Sequence, residues 1–76
     1  MKPLTNDEYQ FITSNFASQL ELIKHGIVGN GVQSLIPIYE RITETKMNIN
    51  CTDCYKGMML VIKTAVNNYI PQTNEQ

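Results

Sequence analysis

Apolar positions recur along this chain with a helical period in three separate stretches. The first begins after Thr5-Asn6-Asp7-Glu8, a capping box: the Thr5 hydroxyl accepts from the Glu8 N–H, and the Glu8 carboxylate reaches back to the Thr5 N–H. Behind it Tyr9, Ile12, Phe16, Leu20 and Ile23 follow at steps of three and four, the signature of one buried helix face. Leu4 and Tyr9 stand where a hydrophobic staple is expected. Lys24-His25-Gly26 is a helix end, with basic residues facing the negative pole and glycine supplying a left-handed residue. The pattern predicts a helix over residues 5–25.

Ile27-Val28-Gly29-Asn30-Gly31 is a turn. It lacks the Lys-Ser/Thr of a phosphate loop and the preceding strand and third glycine of a dinucleotide fingerprint. A second helix is predicted over residues 32–45, with Val32, Leu35, Ile36, Tyr39 and Ile42 on its apolar side and Glu40, Arg41 and Glu44 in solvent. Pro37 divides the possibilities. Either Asn30 caps a helix that kinks at the proline, or the helix starts near Gln33 or Ser34 and the proline falls harmlessly in its first turn. A third helix is predicted over residues 51–70, capped by Asn50 and stopped by Pro71. One of its faces is Cys51, Cys54, Tyr55, Met58, Ile62, Ala65 and Tyr69, and a second ridge is Met59, Val66 and Ile70. No alternation of period two competes. The expected architecture is all-α: a small antiparallel three-helix bundle over residues 5–70, with a frayed lead at 1–4 and a flexible tail at 71–76.

Composition narrows the function classes. At 76 residues the chain makes one domain with a marginal core, of the kind that often adds a disulfide, a metal or a partner subunit. Six cations are interleaved with seven anions, so the basic patch of an autonomous nucleic-acid binder is missing. The longest apolar run, Met58–Ile62, is far short of the roughly 20 residues of a membrane span. Residues 1–7 have no apolar core of a signal peptide, so neither secretion nor membrane insertion is expected.

Only Cys51-Thr52-Asp53-Cys54 could carry special chemistry. Four readings fit it. The cysteines pack as small hydrophobes. They form a structural disulfide or redox switch, favoured by a helix N-terminus and opposed by Asp53, without the βαβ context of thioredoxin-like enzymes. They hold zinc, which needs four ligands; Cys51, Cys54 and His25 give three, so a carboxylate or a second chain must complete the set. Or they belong to a contact surface. His25 alone reads as a residue facing the helix dipole. Glu40 and Glu44 read as a solvated pair rather than an acid–base couple. One histidine leaves few ways to build a catalytic set, and no enzyme is expected. Tyr9, Tyr39, Tyr55 and Tyr69 are the candidate interface anchors wherever they lie exposed.

Ile36-Pro37-Ile38-Tyr39-Glu40-Arg41-Ile42-Thr43, followed by Cys51-Thr52-Asp53-Cys54-Tyr55-Lys56-Gly57-Met58, resembles small proteins of tailed phages that infect Bacteroidetes, including crAss-like phages. In these an I-P-x-I/L-Y-x-R-x-T helix leads into a C-x-x-C helix start. The resemblance spans about Ile36 to Tyr69. It departs at Glu44, where such proteins often carry glycine, and it carries over no catalytic residue. It implies a virus-encoded protein, an auxiliary capsid or head–tail component of the virion. The expectation is therefore a non-enzymatic protein-binding module, located in the virion or in host cytoplasm during infection, whose partners are other virion proteins. One alternative is a phage-encoded regulator or host-defence inhibitor that binds a host protein. A second is a zinc-bridged homodimer.

Overall fold

The computed structural model describes residues 1–71. Among them every regular element is helical. The elements are α1 (Asn6–Asn15), α2 (Ala17–Leu22), a 3-10 turn (Ile23–His25), a second 3-10 turn (Val32–Leu35), α3 (Ile36–Thr43) and α4 (Thr52–Asn67).

The capping box forms as its spacing predicts. Glu8 N–H donates to Thr5 Oγ1 at 3.1 Å, and Thr5 N–H donates to Glu8 Oε1 at 2.9 Å. The helix behind it, however, is not continuous to residue 25. Phe16 leaves helical geometry for one residue, at φ −128° and ψ 16°, and divides α1 from α2. Side chains on the last turn of α1 bond to its own carbonyls: Thr13 Oγ1 donates to Tyr9 O at 2.8 Å and Asn15 Nδ2 to Phe11 O at 2.9 Å. Bonds of this kind compete with the helical ladder, although Thr64 makes one to Leu60 O at 3.0 Å inside unbroken α4. The break costs little, because Phe16 N–H still reaches Ile12 O and Leu20 N–H still reaches Phe16 O. Gly26 ends the segment at φ 75°, as expected.

The second helical segment resolves the question of Pro37. Gly31, at φ 81°, leads into the 3-10 turn, which passes into α3 at Ile36. Pro37 sits in the first turn of α3, where its missing N–H has no partner to lose. No side chain of Gln33 or Ser34 caps this start. The helix stops at Thr43 rather than residue 45, because Glu44 turns left-handed at φ 55°.

α4 begins with Cys51, not Asn50, as its cap, and ends at Asn67 rather than residue 70. Ile70 precedes Pro71, and a residue before proline is pushed out of helical geometry. The expected tail over residues 71–76 lies, apart from exposed Pro71, outside the described residues.

The core is apolar throughout, with no buried polar or charged residue among those described. α4 supplies its centre: Met58, Met59 and Ile62 are all 0% exposed. Around them lie Ile12 from α1, Phe16 between α1 and α2, Leu20 from α2, Ile23, Val32 and Leu35 from the 3-10 turns, and Ile42 from α3. Met47, in the linker before α4, closes one end. The lead over residues 1–4 does not fray as expected. Leu4 is buried, Lys2 N–H donates to Ile42 O at 2.7 Å, and Arg41 holds the Pro3 carbonyl.

Candidate functional site

The chemistry available to this chain gathers at the head of α4. The linker that delivers Cys51 is pinned along its length. Glu40 accepts the Met47 N–H at 2.8 Å, Asn48 Oδ1 accepts the Asn50 N–H at 3.0 Å, and Asn48 O accepts the Cys51 N–H at 3.2 Å. Tyr55, one turn into α4, reaches back with its hydroxyl to Ile49 O at 3.2 Å. Asn50 is thereby committed to the turn, and Cys51 takes the cap position in extended geometry at φ −109° and ψ 108°.

Cys51 and Cys54 are joined in a disulfide, with Cα atoms 5.2 Å apart, within the span such bridges require. Cys51 Sγ also accepts the Cys54 backbone N–H at 3.2 Å. The sulfur therefore does what a serine or aspartate oxygen does at most helix starts: it satisfies one of the amides that the first turn leaves without a partner. The two cysteines differ in surroundings. Both are half-buried, but Cys54 packs against the core cluster and Cys51 does not. Asp53 and Lys56 beside them are exposed. Next to the pair runs a groove of about 350 Å³ lined by Val28, Val32, Ile49, Thr52 and Tyr55.

Of the readings open in the sequence, the bridge answers the one concerning bonding: the sulfurs are bonded to each other, and a metal would have to wait for their reduction. His25 is exposed at the end of its 3-10 turn. Among the described residues no three His, Cys, Asp or Glu side chains converge as a ligand set.

The four tyrosines are all half-buried, and the side chains of three of them are engaged within the chain. Tyr9 and Tyr69 stack, with ring centroids 4.0 Å apart and planes 13° from parallel. The Tyr69 hydroxyl donates to Asn6 Oδ1. Tyr55 is tied to Ile49 as above. Tyr39 lies against the core cluster. The large apolar side chains most open to solvent are others: Ile70, Met1, Ile49, Leu60 and Ile27 are 76%, 67%, 63%, 52% and 50% exposed.

A second polar cluster escaped the sequence reading, which placed Arg41 in solvent. The Arg41 guanidinium grips Glu8 with two bonds, Nε to Oε2 at 2.7 Å and Nη2 to Oε1 at 2.5 Å, and gives a third to Pro3 O at 2.8 Å. Burial pushes the Glu8 carboxyl upward, but the Arg41 hydrogen bond, the Thr5 amide and the Arg41 charge together outweigh it and hold the group below the ordinary carboxylate range. Glu8 in turn raises Arg41. One carboxylate thus caps α1 and fastens it to α3. No spacing rule finds such a pair, because its members lie 33 residues apart.

Compared with protein-family models, curated proteins and solved structures, the chain matches none of them. No helix among the described residues is long and apolar enough to cross a membrane.

Proposed function

We propose that this chain is a non-enzymatic protein-binding module, a minor structural component of a tailed-phage particle at its capsid or head–tail region. In this reading α1 with α2, α3, and α4 pack as the three members of an antiparallel bundle, and the surface they hold in place meets other virion proteins. The observation that carries it is the exposure of Ile27, Ile49 and Leu60, each at least half open to solvent. A core this small has little room for more apolar side chains, and those left outside are available to a partner. The likeness of about Ile36 to Tyr69 to small phage proteins supplies the setting.

Mass spectrometry of purified particles tests the reading. The expected result is this chain at fixed stoichiometry with the capsid or tail proteins through successive gradients. Its absence from particles, with recovery instead in complex with one host protein, overturns it and favours the regulator.

A further inference from the structure

We infer that Cys51–Cys54 is a reversible thiol–disulfide couple rather than an inert staple, with Cys51 as the sulfur that exchanges with a partner thiol. This goes beyond the proposed binding role and does not depend on it.

Three observations carry the inference. The bridge closes a loop of sequence separation 3 inside the start of one helix. A cross-link that short restrains little of the unfolded chain. It also joins no two elements of the fold, and the core residues of α4 begin at Met58, a turn below it. Opening it therefore leaves the packing of Met58, Met59 and Ile62 in place.

Secondly, neither cysteine is in the buried interior, so a thiolate can reach the bridge. Access is uneven, because Cys54 packs on the core cluster and Cys51 does not. The side of the bridge away from the core is therefore assigned the incoming attack, at Cys51.

Thirdly, the released Cys51 sulfur has a site prepared for negative charge. It already accepts the Cys54 N–H at 3.2 Å, at the positive end of a 16-residue helix. Helix N-termini favour the thiolate form of cysteine, and the thiolate is the reactive species. Exposed Asp53 opposes this charge and exposed Lys56 favours it. Both stand in water, which weakens them relative to the direct hydrogen bond.

The exchange balances with a dithiol reductant. One of its thiolates attacks Cys51 Sγ, forming a mixed disulfide as the Cys51–Cys54 bond breaks. Cys54 leaves as a thiolate and takes a proton. The second thiol of the reductant, losing its proton, attacks its own sulfur in the mixed disulfide and releases Cys51. Cys51 leaves as a thiolate, so two electrons pass to the chain with one proton on Cys54, the other proton going to solvent or to Cys51, and the reductant becomes a disulfide. In reverse, the Cys51 thiolate attacks a partner disulfide and Cys54 resolves the adduct.

The test uses the full chain and two probes, dithiothreitol and glutathione disulfide. Native protein is treated with dithiothreitol without denaturant, and free thiols are counted by alkylation and mass. Complete reduction with an unchanged helical circular dichroism spectrum is expected; reduction only in denaturant, or with loss of helix, overturns the inference. Reduced wild-type protein is next given substoichiometric iodoacetamide, and the labelled residue is located by fragmentation. Label on Cys51 over Cys54 by about tenfold is expected. Finally, C54S and C51S are mixed with glutathione disulfide, and C54S should form its adduct about tenfold faster than C51S. Equal or reversed preference in the wild-type labelling overturns the assignment of Cys51, whether or not both variants fold.

Discussion

Replacing Arg41 with alanine removes three hydrogen bonds at once, two to Glu8 and one to Pro3. The Glu8 side chain is only 18% exposed and that of Arg41 38%, so the pair lies between the surface and interior cases. Exposed ion pairs contribute about 0.2–1 kcal/mol. The two-pronged, charge-assisted geometry places this one at the upper end, and the Pro3 bond adds about 0.5–1 kcal/mol. Because Arg41 is more than a third exposed, water screens part of this, and R41A should cost about 1–1.5 kcal/mol. Glu8 is not orphaned by the change, since the Thr5 amide still reaches it. With E8Q and the double variant, a urea-unfolding cycle followed by circular dichroism should give a coupling of about 0.5–1 kcal/mol. For a chain of this size the R41A midpoint should fall by about 1 M urea. Glu8 is held below its reference value of 4.5 in the folded state. Its contribution is therefore fully present above about pH 4.5, and it is lost as pH falls through the lower folded value. The coupling should be constant near neutrality and vanish in strong acid. A coupling under about 0.2 kcal/mol at neutral pH, or one that persists unchanged in strong acid, would refute the reasoning.

Three further changes test other parts of the fold. Ile62→Ala empties a site with no exposure at all; a loss of about 2–5 kcal/mol should leave much of so small a chain unfolded, measured by thermal melting. Glu44→Gly relieves a left-handed residue at φ 55°, and a gain of about 0.5–1 kcal/mol, read as a rise in Tm of about 3–6 °C, is expected; a fall would show that the Glu44 side chain contributes more than its backbone costs. Tyr69→Ala removes the stack on Tyr9 and the bond to Asn6. It should speed amide hydrogen exchange in the first turn of α1, whereas an effect confined to the end of α4 would contradict the contact.

Much of this fold was legible from local pattern. The Thr5–Glu8 box, the Gly26 stop and the methionine-filled face of α4 each follow from residues a few positions apart, and each is where its spacing puts it. Two of the misreadings share one physical cause. The docked lead and the Arg41–Glu8 clasp depend on bonds that periodicity does not encode, from residue 41 to residues 3 and 8. The site was legible in part. The C-x-x-C spacing identified where chemistry could occur but left the sulfurs free to pack, bond or bind metal. That Cys51 displaces Asn50 as the cap follows from the linker's own hydrogen bonds, with Asn48 drawing both the Asn50 and the Cys51 amides into a turn. Tyr9 and Tyr69, expected as interface anchors wherever exposed, are half-buried and stacked on each other.

The Tyr9–Tyr69 stack also orders events during synthesis. Tyr69 bonds to Asn6 across 63 residues of chain, and α4 carries the centre of the core. A ribosome releases α1, α2 and α3 before it has made the surface they pack on. Until Ile62 and Tyr69 emerge, Ile12, Phe16, Leu35 and Ile42 have no completed interior to enter. Native closure then comes late and all together, after the entropy of a long loop has been spent. A nascent chain stalled before α4 is therefore an exposed apolar fragment, open to chaperones and proteases, rather than a smaller version of the domain.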